Sequence, residues 1–149
     1  MGVGADLMDG LVVVGCSRRK TVTSRPVPAL ELYQGGCVPR LRDRLGADAG
    51  RRRQVLVLSA RHGLVPADAP LETYDQPLTE RRARVLCQPV RHALTVHLAI
   101  HPTREALLLL EPAYLQVLGT PPVPVVHVIT DPVAHFGAAE KILATWGWA

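Results

Sequence analysis

The sequence predicts an α/β fold of three layers, in which helices flank a mainly parallel sheet of about four or five strands. The first observation behind this prediction is a set of apolar runs at residues 11–16, 54–59, 105–110 and 123–129. Apolar runs without polar interruption are typical of strands that are buried on both faces. The second observation is that segments with helical spacing lie between these runs. Strands that alternate with helices favour parallel pairing through right-handed crossovers.

The remaining elements follow in order along the chain. Helices are predicted over residues 28–33, where a proline suits the first turn, and over residues 38–45. Residues 46–53 and 60–77 are predicted to be loops. Thr79 is the predicted N-cap of a long helix that reaches about Ile100, with a kink or a break at Pro89. The run at 105–110 could also be a helix by periodicity, and short helices are expected over 111–118 and 138–146.

Composition indicates a single domain of 149 residues, 48% of them apolar, with residues 1–10 as a flexible N-terminus. The chain contains neither an apolar run long enough to span a bilayer nor the features of a signal peptide. Its three cysteines are widely spaced and match neither a disulfide framework nor a zinc pattern. We therefore expect a reduced, cytoplasmic protein without a membrane contact, a metal or a cofactor.

A polar loop follows the first predicted strand, at the edge where parallel sheets bind ligands. It contains Cys16, Ser17 and Lys20, and it leads to Tyr33. Lys20 and Lys141 are the only lysines. A lysine amine can act as a base or a nucleophile when it is buried, or it can bind phosphate. Neither GxxxxGK[ST] nor a GxGxxG turn after a strand is present, which disfavours a nucleotide triphosphatase and a dinucleotide-dependent dehydrogenase.

A second polar loop follows the next predicted strand and brings an imidazole and two carboxylates together. The two loops are expected to surround one crevice, with Cys16, Ser17, Lys20, Ser59 and His62 around it. His62 titrates near neutral pH, although it could instead make a structural hydrogen bond. Tyr74 could stack on a base or pack before the Thr79 helix. The predicted catalytic residues are Lys20, His62, Glu72 and Asp75. The predicted substrate-binding residues are Cys16, Ser17, Tyr33, Ser59, Gly63 and Tyr74, with Thr130 and Asp131 as secondary candidates.

Arginines at positions 40, 42, 44, 51, 52 and 53 form a basic patch, and the formal net charge is +4. Such a patch could contact the backbone of a nucleic acid, or it could be an ordinary solvated face.

Over residues 11–80 the chain resembles a family of small bacterial and phage domains. The shared motifs are Cys16-Ser17 with Lys20, Ala29 to Gly35, Leu58 to Leu64, and Tyr74-Asp75 with Leu78. The segment ending at Leu64 is also similar to the peroxide-stress protein YaaA, which has tyrosine at the position of His62. The spacing of Cys16 and Lys20 is more distantly similar to the archaeosine synthase catalytic domain, where Pro-Tyr follows the lysine instead of Thr21-Val22.

These resemblances imply two functions. The similarity to archaeosine synthase implies chemistry on a nucleobase, and with the residues above it favours an enzyme that acts on a small-molecule nucleotide or nucleoside. Such an enzyme would cleave the N-glycosidic bond or modify the base, with Lys20 near the phosphate and Asp75, Glu72 or His62 in the chemistry. The similarity to YaaA implies the alternative, a non-enzymatic protein that binds DNA and protects it under oxidative stress.

Overall fold

The computed structural model describes residues 8–18 and 20–148 of the chain, with seven strands and six helices in that part. The strands are β1 (Met8–Gly15), β2 (Val27–Pro28), β3 (Val55–Ser59), β4 (Gly63–Pro66), β5 (Pro70–Leu71), β6 (Thr103–Leu109) and β7 (Val125–Ile129). The helices are α1 (Ala29–Leu32), α2 (Val38–Leu45), α3 (Ala49–Arg53), α4 (Glu80–Ile100), α5 (Pro112–Leu118) and α6 (Phe136–Thr145).

The main sheet has five strands in the order β4-β3-β1-β6-β7. Three of its four pairings are parallel, which confirms the predicted, mainly parallel arrangement: β1 runs parallel to β3 and to β6, and β6 runs parallel to β7, whereas β4 is antiparallel to its neighbour β3. The short strands β2 and β5 form a separate antiparallel pair, which ties the segment after β1 to the segment after β4.

Helices cover both faces of the sheet, as predicted. Val12 and Val14 of β1 point to the face that is covered by α1, α2 and α6. Leu11 and Val13 point to the opposite face, which is covered by α4 and α5. All four side chains are at most 1% exposed. The apolar run is continuous because both faces of this strand are buried.

The connections that leave β1 and β6 turn to opposite faces of the sheet. The chain passes from β1 to α1 and α2 on the first face, and from β6 to α5 on the second face. These two strands are parallel neighbours, with Val14 opposite Leu109 near their carboxyl ends. In open α/β sheets a crevice forms where neighbouring strands send their connections to opposite faces, and ligands bind there. We call this place the switch point.

The structure confirms several predicted elements. Thr79 caps α4, and its hydroxyl accepts a hydrogen bond from the Arg82 backbone N–H at 3.1 Å. The run at 105–110 belongs to strand β6, so the helical alternative is wrong. All three cysteines are free thiols. Within the part of the chain that is described, no helix has the length and apolarity needed to cross a membrane.

Three local predictions are wrong. Residues 46–53 are not simply a loop, because α3 forms there with the Asp48 carboxylate accepting the Arg51 N–H at 3.0 Å. Residues 60–77 are not one loop, because β4 and β5 lie within them. Helix α4 runs through Pro89 without interruption, so of the kink or break predicted there the break is wrong; Pro89 lies on the exposed side of the helix. A proline removes one backbone donor there, and the buried contacts of Leu86 and Val90 hold the helix against the sheet on both sides of it.

Residues 1–7 of the predicted flexible N-terminus lie outside the described residues. Residues 8–10 begin β1, so the strand starts earlier than predicted. Gly10 lies in this strand beneath a tryptophan: a Cβ atom at Gly10 would be 2.5 Å from ring atoms of Trp146. Glycine is therefore required there by a close approach.

Candidate functional site

A cleft of about 800 Å³ opens at the carboxyl edge of the sheet, beside the switch point. Residues from three segments line it: the loop after β1, the segment between β5 and α4, and the start of α5. Its charged and aromatic lining residues are Arg18, Lys20, Asp75, Glu111, Tyr74 and Tyr114. Arg19 lies outside the described residues. The cleft therefore combines two cations, two carboxylates and two tyrosines.

Cys16 lies at the centre of the switch point, directly after β1. Its backbone N–H donates to the Leu58 carbonyl at 3.0 Å, which continues the strand pairing by one residue. Its thiol lies 3.2 Å from the Tyr114 hydroxyl. Ser17 follows and accepts the Gly35 N–H on its hydroxyl at 3.1 Å. The structure thus places the predicted residues Cys16 and Ser17 in the wall of the cleft.

Lys20 is held in the cleft by the backbone and by an aromatic ring. It forms an isolated bridge with Tyr33, and its ammonium donates to the Arg18 carbonyl at 3.2 Å. The same ammonium lies 4.5 Å from the centre of the Tyr74 ring. A cation over an aromatic face is attracted by the electron density of that face. An ammonium has three donors, so donors remain for a ligand.

Tyr74 is anchored through its hydroxyl in a chain of three hydroxyl groups. Ser59 Oγ accepts the backbone N–H of Arg61 at 3.2 Å and that of His62 at 3.0 Å. A hydroxyl has two acceptor positions, so the remaining Ser59 O–H donates to Tyr74 Oη, 2.7 Å away. Tyr74 in turn donates to Tyr33 Oη at 2.6 Å. These two hydroxyl–hydroxyl bonds hold Tyr74 Oη between Ser59 and Tyr33.

Two of the predicted substrate-binding residues support the site from behind. Ser59 and Tyr33 have no exposed surface, so neither forms a wall of the cleft. Burial raises the pKa of the Tyr33 and Tyr74 hydroxyls, and both stay protonated. Gly63 is also buried; its φ of +76° is in the left-handed region that favours glycine, and it forms the turn from β3 into β4.

His62 and Glu72 line a different depression, of about 420 Å³, which we call the His62 depression. The His62 ring packs against the Tyr74 ring at 5.2 Å and at 89°. Burial, and then the nearby charges of Arg61 and Arg82, lower the pKa of His62. Tyr74 and Asp75 line both the cleft and this depression. Lys20 and His62 thus both contact Tyr74 but line separate hollows, contrary to the expectation of one shared crevice.

A third depression, of about 330 Å³, adjoins the cleft on the side of β7, and we call it the β7 slot. Three residues line both: Cys16, Glu111 and Tyr114. The secondary candidates Thr130 and Asp131 lie in this slot, at the carboxyl end of β7. Asp131 Oδ1 accepts the Ala134 N–H at 3.2 Å.

Glu111 and Tyr114 are site residues that sequence reasoning missed. Both follow β6 and belong to the cap and first turns of α5. Burial raises the pKa of the Tyr114 hydroxyl, which therefore remains a donor. The available signal was an acidic residue directly after an apolar strand, at Leu110-Glu111-Pro112. This signal identifies a site residue only when it is known that β6 lies beside β1.

Most arginines of the predicted basic patch bind groups of the protein itself. Arg44 reaches Glu140 and the Trp148 carbonyl, both at 3.0 Å. Arg52 contacts Asp68 at 2.7 Å and Glu31 at 3.4 Å. Three more arginines of the patch form ion pairs with carboxylates: Arg40 with Glu140, Arg42 with Glu31, and Arg51 with Asp48. The positive charge of this face is therefore largely paired.

Among the described residues, no group of three or more histidine, cysteine, aspartate or glutamate side chains is close enough to hold a metal ion.

A family model matches residues 11–144, from β1 to the end of α6. The chain belongs to the DUF6884 family, a family of unknown function. No curated protein and no solved structure matches the chain. Membership in DUF6884 names no activity, so the similarities to YaaA and to archaeosine synthase stay hypotheses, and the function must be argued from the site.

Proposed function

We propose that this DUF6884 protein is an enzyme that acts on a nucleoside or nucleotide at its N-glycosidic bond. The observation that carries the proposal is the cleft itself, in which cations, tyrosine rings and carboxylates share one opening at the switch point. Small-molecule sites have volumes of about 300 to 1,000 Å³, and this cleft lies in that range. Its cations and its carboxylates each match one part of the reaction of such a substrate.

The cations match the phosphate. Lys20 and Arg18 lie in the loop after β1, and both line the cleft. Lysine binds phosphate as a point charge, and arginine binds it through two parallel hydrogen bonds. The Tyr74 ring lies beneath the Lys20 ammonium and holds it in place.

The carboxylates match the bond-breaking step. Hydrolysis of an N-glycosidic bond adds water to the anomeric carbon of the sugar. The carbon–nitrogen bond breaks, its electron pair goes to the base nitrogen, and that nitrogen gains a proton. A carboxylate accelerates this step by accepting the proton of the attacking water and by stabilising the cationic sugar. Asp75 and Glu111 both line the cleft, whereas the predicted catalytic residues His62 and Glu72 lie outside it.

The pairing of the arginines favours this enzyme over the DNA-binding alternative. A protein that binds DNA through its backbone uses cations that can displace counterions. Arg42, Arg44 and Arg52 are instead bound by carboxylates of the same chain. Arg18 and Lys20, by contrast, line the cleft itself.

The proposal is tested by incubating the protein with a panel of nucleosides and nucleotides and measuring free base by mass spectrometry. We expect release of base from at least one phosphorylated member of the panel. Lys20→Ala should raise the KM for that substrate, because one phosphate contact is lost. Lys141→Ala is the matched control, since Lys141 is an exposed residue on α6.

Three results would change the conclusion. A base that changes mass without being released would mean that the enzyme modifies the base instead. Absence of any product and of any nucleotide binding would overturn the proposal. Tight binding to duplex DNA that depends steeply on salt and survives Lys20→Ala would support the non-enzymatic alternative.

A further inference from the structure

The β7 slot differs in character from the cleft that it adjoins. Gly15, Gly36, Leu109 and Pro132 are among the residues that line it. Its carboxylates lie at two places: Glu111, which also lines the cleft, and Asp131, beside Thr130 at the carboxyl end of β7. A hollow with two carboxylates repels a phosphate and suits an uncharged ring better.

Asp131 gives the polar edge a defined hydrogen-bonding character. Its carboxylate is an acceptor with about four lone-pair positions, and Oδ1 uses one of them for the Ala134 N–H. The turn at Asp131 to Ala134 therefore fixes the carboxylate while acceptor capacity remains. No lysine or arginine lines the slot in the part of the chain that the structure describes. A ligand group that binds the Asp131 carboxylate must therefore supply donors.

We propose that the β7 slot holds the base of the substrate, and that Asp131 selects a base with two adjacent N–H donors. Guanine is the common base that offers such a pair, from its ring N1 and its exocyclic N2. Adenine places an acceptor beside its amino group, and uracil places carbonyl acceptors on both sides of its single donor. A carboxylate at this edge pairs with guanine in a bidentate manner and is repelled by the acceptors of the other two.

This assignment rests on the proposed function and sharpens it. With the base in the slot and the phosphate on Lys20 and Arg18, the sugar must cross the residues that line both hollows. The glycosidic bond then lies at Cys16, Glu111 and Tyr114. Glu111, rather than Asp75, becomes the carboxylate nearest to that bond.

The experiment measures the affinity of the intact protein for guanosine, inosine, xanthosine and uridine 5′-monophosphates by calorimetry. We expect the guanosine nucleotide to bind about tenfold or more tightly than the inosine nucleotide, which lacks the N2 amino group, because one bidentate base contact discriminates on that scale. In Asp131→Asn the preference should move to the xanthosine nucleotide. Xanthine has a carbonyl in place of the N2 amino group of guanine, and the amide N–H of the new side chain can donate to that carbonyl.

Asn retains an oxygen that can accept the Ala134 N–H, so Asp131→Asn should keep the turn and the fold, which circular dichroism checks. Asp43→Asn is the matched control, because Asp43 is an exposed carboxylate on α2 outside the slot. Equal affinity for all four nucleotides, or an Asp131→Asn profile identical to that of Asp43→Asn, would overturn this inference and leave the proposed function standing. If none of the four binds, this inference is overturned, and the release of base across the wider nucleoside and nucleotide panel decides the proposed function separately.

Discussion

Removal of the Tyr74 hydroxyl tests whether the hydroxyl chain anchors the wall of the cleft. In Tyr74→Phe the ring remains under Lys20, but the bonds to Ser59 at 2.7 Å and to Tyr33 at 2.6 Å are lost. Ser59 and Tyr33 have no exposed surface, so solvent does not replace the missing partner. A buried polar group that loses its partner costs about 1 to 3 kcal/mol. We expect the free energy of unfolding to fall by about 2 to 3 kcal/mol in total.

For a chain of this size a loss of 1 kcal/mol lowers the Tm by about 3 °C, so Tyr74→Phe should unfold about 6 to 9 °C below the wild type. Urea denaturation followed by tryptophan fluorescence and thermal scans would measure both quantities. Tyr114→Phe is the matched control. The Tyr114 hydroxyl lies 3.2 Å from the thiol of Cys16, which is a weak hydrogen-bonding group, so its removal should cost less than about 1 kcal/mol.

A double-mutant cycle with Ser59→Ala separates the hydrogen-bonded pair from other effects. Because Ser59 and Tyr74 belong to one chain of bonds, their combined cost should fall short of the sum of the single costs by about 1 kcal/mol. Strict additivity, or a cost below about 0.5 kcal/mol for Tyr74→Phe, would show that the chain of hydroxyl groups does not hold this segment and would refute the reasoning.

Three further perturbations have effects that follow from single contacts. Gly10→Ala places a Cβ atom 2.5 Å from the Trp146 ring, and thermal unfolding should show a loss of about 2 to 3 kcal/mol. Burial lowers the pKa of His97 to about 4. Its contribution to stability is therefore complete above pH 6.5 and should decline by up to about 3 kcal/mol toward pH 4, as urea titrations at several pH values would show. Arg44→Ala removes the contacts to Glu140 and should cost about 1 to 2 kcal/mol in the same assay.

Each of these three predictions has its own control or contradicting result. An unchanged Tm in Gly10→Ala would mean that the ring moves aside at no cost. The pH-dependent decline should shrink in His97→Gln, and a decline of equal size there would assign it to other groups. Arg53→Ala, at an exposed position of the same arginine patch, should change stability by less than about 0.5 kcal/mol. Equal effects of Arg44→Ala and Arg53→Ala would contradict the structural role of Arg44.

The parts of the fold that were predictable are those determined by local pattern. The run at 11–16 marks a strand because its side chains are apolar on both faces, and the Thr79 hydroxyl marks a helix start because it can accept an orphan N–H. Strand β4 was not predicted, because it lacks a long apolar run of this kind. Its residues Gly63 to Pro66 lie at the edge of the sheet and are only partly buried.

The site was predictable only in part, because its centre depends on the order of strands. Cys16, Lys20 and Asp75 were found, since each lies in a polar loop near a strand end. Glu111 becomes a site residue because β6 pairs with β1, and no local pattern encodes that pairing. His62 and Lys20 are likewise separated because both pack against the Tyr74 ring. The position of that ring depends on contacts between residues far apart in the sequence, which no local pattern encodes.

The two halves of the cleft are held by different means, which predicts that their functions can be separated. Cys16 and Glu111 follow directly from adjacent strands, and Cys16 is fixed by the Leu58 carbonyl. Lys20 instead lies over the ring of Tyr74, whose segment is anchored by the hydroxyl chain. If the cleft binds phosphate through Lys20 and breaks the bond beside Glu111, Tyr74→Phe should raise the KM for a phosphorylated substrate severalfold and leave kcat nearly unchanged. Glu111→Gln should do the reverse and lower kcat by about 100-fold or more. A fall in kcat for Tyr74→Phe as large as that for Glu111→Gln would mean that the strand ends do not position the chemistry on their own.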